Sequence, residues 1–404
     1  MRKSVAITDA LHWVGAIDYG LRSFDITMHT KYGTTYNSYV LKGTERTILF
    51  ETVKEQFFDE FMERLSCCVR PDEIDAVVIS HTEPDHSGAL SKLLEICPDI
   101  EVVASPPAMA LLDNIINKDF LRHTVRSHET MDIGGKTLEF ILAPFLHWPD
   151  TMFTYIKEEA ILVTCDGFGS HYASDKLFND ELEAVEYEDY LEAYWHYFDC
   201  LLSPFKPYVL SCLDKLEGME IRAICNAHGP IIRRDIPHLI SLYRDWATPA
   251  ERPRKRIVIA YVSVYSYTRV LAQGIREGIK AAGGADVKLY DLQDREIREV
   301  LDDIKDADGL LVGSPTLVGD TPPPIWQLLS HLNSFAHRQL VVGAFGSYGW
   351  SGEAVPNIEA RFEQLKLHRP LDGLRAVMRP SEQDMDKAHD FGRRFVEALR
   401  THTH

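Results

Sequence analysis

The sequence predicts an α/β protein in two domains, residues 1–250 and 256–404, and two patterns carry that reading. In the first domain, short apolar runs of strand length each stop at a histidine or a carboxylate, where open α/β sheets keep their chemistry. In the second, apolar runs alternate with helix-periodic segments and end in turns rich in glycine and hydroxyl groups, which marks βαβ units on a parallel sheet. A chain of 404 residues supplies ample material for two such cores.

The first decisive run, Ile74–Ser80, has the pattern of a buried strand and leads into His81-Thr82-Glu83-Pro84-Asp85-His86. That loop holds four potential ligands, more than a polar surface turn needs. Neutral imidazole and ionised carboxylate both bind metals, and alternating them over one turn lets a single loop serve two adjacent ions. Later runs add candidates. His147 follows the largely apolar Phe140–Leu146, Asp166 ends Ala160–Cys165, and His228 ends Ile221–Ala227. Either histidine alone reads as a satisfied structural residue. The order of dense loop, His, Asp, His is what marks a site.

That order resembles the metallo-β-lactamase fold, an αββα sandwich whose zinc hydrolases carry His-x-His-x-Asp-His followed by His, Asp and His. Glu83 replaces the second His of that motif. A carboxylate there adds negative charge and a hard oxygen donor, which moves the preference from zinc towards iron or manganese. Glu83, Asp85 and Asp166 join four imidazoles, with Asp166 placed to bridge, and a carboxylate-bridged pair of irons suits that set. Ligand type alone leaves zinc and manganese open.

After Trp246, the charged, proline-bearing stretch Ala247–Lys255 reads as a linker. Ile257–Tyr261 reads as a strand, followed by Ser263, Val264, Tyr265, Ser266, Tyr267 and Thr268 and then a helix through Val270, Leu271, Ile275 and Ile279. A hydroxyl-rich turn feeding a helix N-terminus suits a phosphate, although a plain cap explains Thr268 as well. Leu310–Gly313 runs into Ser314, Pro315, Thr316, Leu317, Val318, Gly319 and Asp320. Leu340–Phe345 runs into Gly346, Ser347, Tyr348, Gly349, Trp350, Ser351 and Gly352. Three such loops can form one crevice at a switch point, with Tyr348 or Trp350 covering one face of a flat ring. The layout resembles a flavodoxin, with the FMN phosphate in the first loop and the isoalloxazine between the other two.

Taken together, Gly33–Asn37, His81–His86, His147–Asp150, Asp166–Gly169, Ala227–Gly229, Gly313–Thr316 and Gly346–Trp350 resemble the flavodiiron proteins. These join a metallo-β-lactamase-like di-iron domain to a flavodoxin-like FMN domain. The resemblance implies reduction of dioxygen to water, of nitric oxide to nitrous oxide, or both. It implies that His81, Glu83 and His147 hold one iron, that Asp85, His86 and His228 hold the other, and that Asp166 bridges them. In some relatives the residue matching His86 lies off the metal. His171 and Trp350 are the candidate catalytic residues beyond that set, with a surface or capping role as the alternative for His171. The implied electron donor is rubredoxin or another reduced carrier, or, as in some relatives, a reduced deazaflavin. The implied assembly is a head-to-tail homodimer or a dimer of dimers, in which the FMN of one subunit serves the metals of another.

Three departures from the family pattern stand out. Asp25 and Ile26 lie where many relatives carry a pocket histidine and a glycine, and an Asp donates protons at neutral pH only if its pKa is raised. Tyr267 stands where serine is common, and Val318-Gly319 replaces a frequent Asn-Asn. Two rival readings are a zinc hydrolase with a flavodoxin-like appendage and an electron-carrying flavoprotein with a vestigial metal scaffold. Glu83 speaks against the first and the complete ligand set against the second.

The net charge of −18 argues against nucleic acid and anionic membrane as partners. Met1-Arg2-Lys3-Ser4 begins no secretory segment and no apolar run spans a bilayer, so a cytoplasmic protein is expected. Seven cysteines without a Cys-x-x-Cys pair encode neither a disulfide framework nor a rubredoxin-like iron site, and Cys165 and Cys225 read as small buried hydrophobes. Asp180, Glu181, Glu183, Glu186, Glu188 and Asp189 read as a solvated helix face, with Tyr190, Leu191, Tyr194, Trp195 and Phe198 as its core side. The tail Thr401–His404 is expected to be disordered and irrelevant to the metals.

Overall fold

The structure, a computed structural model, describes residues 3–25, 28–250 and 252–402, so Met1, Arg2, Ile26, Thr27, Glu251, Thr403 and His404 lie outside the described residues. Two compact units divide the chain, Met1–Pro249 and Ala250–His404.

Two sheets form the middle of the first unit. The larger runs in the order Val5–Ala6, Leu11–Trp13, Tyr39–Lys42, Thr47–Phe50, Ala76–Ile79, Glu101–Ala104, Leu121–Thr124. The smaller runs Thr130–Asp132, Thr137–Leu142, Met152–Ile156, Ile161–Cys165, Ala223–Asn226. Alternation along each strand sends side chains to opposite faces. Tyr39, Leu41, Ala76 and Val78 meet Leu138, Phe140, Val163 and Cys225 between the sheets. On the outer face, Val40, Val77, Ile79 and Val102 pack on the helices Phe58–Leu65, Leu90–Ile96 and Pro106–Ile116. The other outer face, with Ile141, Phe153, Leu162 and Ile224, packs on Ala184–Tyr197, Lys206–Lys215 and Ile236–Ala247. The result is the expected αββα sandwich.

The ligand-bearing segments leave these sheets at one end. Pro84 opens a single helical turn, Pro84–Ser87, so Asp85 and His86 sit on a helix rather than on the loop predicted from sequence. The fixed φ of proline is pre-organised for that first helical position. A second correction concerns Trp195, which is 48% exposed, while Tyr190, Tyr194 and Phe198 are buried as expected. The helix buries a narrower stripe than its aromatic content suggests.

The second unit is a five-stranded, all-parallel sheet in the order Ala285–Asp291, Lys255–Tyr261, Gly309–Pro315, Val341–Tyr348, Leu374–Val377. Chain order 2-1-3-4-5 places the switch point between the first and third strands. The strands run longer than predicted, because the register continues through Ser314↔Gly346 and Pro315↔Ser347. Those residues are therefore strand ends rather than loop. Helices Tyr267–Ala282 and Glu382–Thr401 pack backbone to backbone on one face: a Cβ at Gly278 would lie 2.1 Å from the His389 carbonyl oxygen. No helix among the described residues is long and apolar enough to cross a membrane.

Candidate functional site

All seven predicted ligands converge in the first unit. His81 Nε2 and His147 Nε2 lie 3.2 and 3.1 Å from Glu83 Oε2, and each lies 3.5 Å from Asp166 Oδ2. Across the carboxylate, His86 Nε2 and His228 Nε2 lie 3.2 and 3.4 Å from Asp166 Oδ1, and 3.3 and 3.2 Å from the two oxygens of Asp85. The Asp166 oxygens therefore face two separate trios. Ligand bonds of about 2.0–2.2 Å set neighbouring donors roughly 3.0–3.5 Å apart around one ion, which is the spacing seen on both sides.

Several of these atoms are buried with no hydrogen-bond partner: both oxygens of Asp85, Asp166 Oδ2, His86 Nε2 and His228 Nε2. Orphaned donors and acceptors aimed at one another are costly in a protein interior, and metal ions satisfy them. The residues fit a two-metal centre. Glu83 and His147 are the most exposed of the seven at 7% and 8%, so the centre opens on their side.

Electrostatics follow from the crowding. Burial opposes the proton on His81, but hydrogen bonds to Asp150 and Glu83 outweigh it and push the imidazole up to about 10. For His228 burial is likewise overcome, by Asp166 and Asp85, again to about 10; for His86, by the charges of Asp85 and Asp166, to about 9. Asp85 and Asp166 are held well below the carboxylate range, since the surrounding imidazoles outweigh the burial cost. Without metal, protons occupy the positions that cations take.

A second layer holds the candidate ligands in place; of its members, sequence reasoning gave roles to His171 and Asp25 but not to Asp150, Thr35 or Tyr197. Asp150 Oδ1 is 3.1 Å from His81 Nδ1, and its Oδ2 accepts from Thr82 N–H and Oγ1 at 2.8 and 2.7 Å. His228 Nδ1 donates to the Thr35 carbonyl at 2.7 Å, which leaves Nε2 free for metal. Gly229, at φ +82°, turns the chain beside it, and its N–H donates to Thr35 Oγ1. Tyr197 Oη donates to Asp166 Oδ1 at 2.9 Å. His171 is buried, with Nδ1 2.8 Å from Thr34 Oγ1 and its ring 5.1 Å from that of His228. Burial and the adjacent His228 drive its pKa well below the usual value, so it is neutral. Phe24 packs on His171, and Asp25 follows it; burial and then the charge of Glu83 raise the Asp25 carboxyl. Cys165 and Cys225 are buried as expected, and burial raises both thiols.

Comparison with known proteins matches one family model in each unit. The ODP family beta lactamase matches residues 34–229, and Flavodoxin matches residues 259–392. The chain is 38% identical over 401 residues to flavo-diiron protein FprA2 of Clostridium acetobutylicum, covering 98% of this chain and 100% of that protein. It is 35% identical over 404 residues to a nitric oxide reductase of Moorella thermoacetica, covering 99% and 100%. The solved rubredoxin oxygen:oxidoreductase of Desulfovibrio gigas superposes with a TM-score of 0.71 at 29% identity, covering 98% and 99%. The chain belongs to the flavodiiron protein family.

The cofactors of this flavodiiron protein are accordingly FMN and a non-haem di-iron centre. In its flavodoxin unit, the predicted flavin loops all follow the C-terminal ends of adjacent parallel strands. Thr268 Oγ1 and Ser347 Oγ, 2.9 Å apart, tie the first loop to the third. Thr316 N–H donates to the Ser347 carbonyl at 3.2 Å, and Ser263 Oγ accepts from Arg269 N–H. Leu317 and Asp320 close a tight turn by paired backbone hydrogen bonds, with Val318 at φ +52° and Gly319 at φ +74°. A β-branched residue in the left-handed region is strained, and such strain collects at ligand clamps. Val318, Trp350 and Tyr265 are 99%, 91% and 77% exposed. Apolar loop tips left bare at a switch point fit a planar ring with one edge in the crevice.

Proposed function

We propose that this protein reduces dioxygen to water, nitric oxide to nitrous oxide, or both, with electrons passed from FMN to the iron pair. The observation that carries this reading is Asp166, whose two oxygens face two complete ligand trios. His81, Glu83 and His147 hold one iron, and Asp85, His86 and His228 the other. Three carboxylates among four imidazoles favour iron over zinc, which weighs against the hydrolase reading. When bound, the irons supply two adjacent redox sites for a diatomic gas.

The chain's own residues orient that pair and manage protons. Asp150 and the Thr35 carbonyl fix the rings of His81 and His228. Tyr197 holds its phenolic proton on Asp166 Oδ1. His171 packs beside His228 as a neutral imidazole, so it has no imidazolium proton to give at neutral pH. Asp25, its carboxyl raised by burial and by Glu83, keeps a proton to higher pH than an ordinary Asp and is the candidate donor on the open side. Ser263–Thr268 hold the FMN phosphate, and Pro315–Gly319 with Ser347–Trp350 hold the ring. A rubredoxin or another reduced carrier supplies the electrons, and a head-to-tail dimer lets one subunit's flavin serve the other's metals. The buried thiols of Cys97, Cys165, Cys212 and Cys225 stay unoxidised in a reducing cytosol, which suits this reading.

The test is anaerobic reduction of the iron- and FMN-loaded protein, followed by mixing with each gas. Fast reoxidation by at least one gas is expected. Equal, negligible rates with both would overturn the assignment.

A further inference from the structure

Two buried ligand imidazoles have an acceptor behind the ring: Asp150 for His81 and the Thr35 carbonyl for His228. His86 has a carboxylate nearby that the function described so far does not use. Glu51 follows the strand Thr47–Phe50 in the left-handed region at φ +57° and is buried. Its Oε1 accepts from the Ser80 N–H at 2.9 Å, whereas Oε2 is buried without a partner. A carboxylate oxygen of Glu51, a ring nitrogen of His86 and Cys165 Sγ all lie within 4.8 Å of one another.

The residues after Glu51 grip the same ligand segment by its backbone. Thr52 donates to the His86 carbonyl through both its N–H, at 2.8 Å, and its Oγ1. Ala89 N–H donates to the Val53 carbonyl at 2.9 Å. The Ser80 and Ala89 amides thus anchor both ends of the ligand segment on Glu51–Val53, and Glu51 turns inward a carboxyl oxygen that has no hydrogen-bond partner. A left-handed backbone and a lone buried carboxylate oxygen are each unfavourable for folding, and an apolar side chain would fill the space at lower cost. Metal-bound imidazoles generally give their other ring N–H to a carboxylate or carbonyl, which sets the tautomer and the ring plane.

We propose that Glu51 is the positioning residue for His86: its free carboxylate oxygen takes the ring N–H facing away from Asp85 and Asp166 and holds Nε2 on the second iron. Asp150 already bonds His81 at 3.1 Å, whereas the Glu51 oxygen stands within 4.8 Å of a His86 ring nitrogen without bonding it, and the proposed contact closes that gap in the iron-loaded protein. The inference rests on the ligand assignment under Proposed function.

Glu51→Gln isolates the role. The amide oxygen still accepts from Ser80 and the volume is nearly unchanged, but the other position becomes an NH2 group that cannot accept from an imidazole. The full-length protein is loaded with FMN and iron-57, and iron retention is followed against a graded chelator, together with the Mössbauer spectrum and the melting temperature. In the variant, one of the two irons should be lost about 10–100-fold more readily and its spectral component altered, with the other iron, the FMN content and the fold retained. In a His86→Ala background, adding Glu51→Gln should change iron retention no further, the signature of two residues acting as one unit. Wild-type retention in Glu51→Gln, or an additive loss in the double variant, overturns the positioning role alone. A wild-type protein that holds fewer than two irons overturns the site assignment and this role with it.

Discussion

In the metal unit, the seven candidate ligand side chains are buried and several are clamped by a second layer, whereas in the flavin unit Tyr265, Val318 and Trp350 stand bare on loop tips. The difference follows from what each site must bind. Small multivalent cations need several charged groups held close together, and mutual repulsion and desolvation would scatter them unless hydrogen bonds fixed each one. A planar flavin supplies its own apolar area and can complete a cleft that the protein leaves half-built. The metal site is therefore pre-organised at a cost in folding free energy, and the flavin site defers its burial until the ligand arrives.

The sharpest way to break this comparison is Asp166→Ala. Removing the shared carboxylate should cost iron affinity well over the roughly 100-fold typical of an outer partner, abolish gas reduction and leave FMN stoichiometry intact. Parallel iron and flavin analyses read it. Loss of flavin as well would mean that the two sites are not independent. Asp150→Asn comes next: a mis-set His81 ring should weaken iron binding about 10–100-fold with unchanged flavin, as measured by chelator competition.

Removing the metal exposes a dependence on pH. In the metal-free protein His81, His86 and His228 titrate at about 10, 9 and 10, above the ordinary value near 6.5. Their stabilisation is complete below about pH 6.5 and is lost as pH rises through 9 to 10. Asp85 and Asp166, depressed instead, contribute above about pH 4 and lose that contribution on acidification. Melting temperature of the metal-free protein should thus fall from pH 7 to 9.5, while the iron-loaded protein holds steady. Parallel curves for the two forms would refute the mutual pairing.

On the flavin side, Trp350→Ala should remove a stacking contact of about 0.5–1.5 kcal/mol and raise the FMN dissociation constant about two- to tenfold, with iron content unchanged. Fluorescence titration of the flavin-free protein reads this directly. Trp195→Ala is the smallest expected effect. Exposed on its helix, it should alter stability by less than about 0.5 kcal/mol by thermal melt, in contrast to its buried neighbour Tyr194.

Much of the site was legible in residue order. His81–His86 stood out because four ligand-type residues crowd the exit of an apolar strand. Asp166 and His228 followed from strands that stop at a single polar residue. The supporting layer was not legible, because its partners are remote in sequence: Asp150 reaches His81, and Tyr197 reaches Asp166 from a helix whose aromatic spacing announces only packing. Glu51 was not singled out from sequence, because Ser80 and His86, which it approaches, lie far along the chain. Trp195 was misjudged because periodicity gives the apolar side of a helix but not the width that its neighbours cover.

From the sequence alone came the α/β fold class, the candidate ligand residues and the candidate flavin loops, because strand ends and turn chemistry are local properties of the chain. The grouping of those candidate ligands into two trios sharing Asp166 was implied by the family resemblance, but local residue patterns left it open and only the tertiary structure gives its physical cause. Parallel pairing of Ile161–Cys165 with Ala223–Asn226 sets Asp166 beside His228, and the antiparallel turn after Thr137–Leu142 brings Asp150 under His81. Sheet order and register, which depend on contacts between distant segments, fix which carboxylate meets which imidazole.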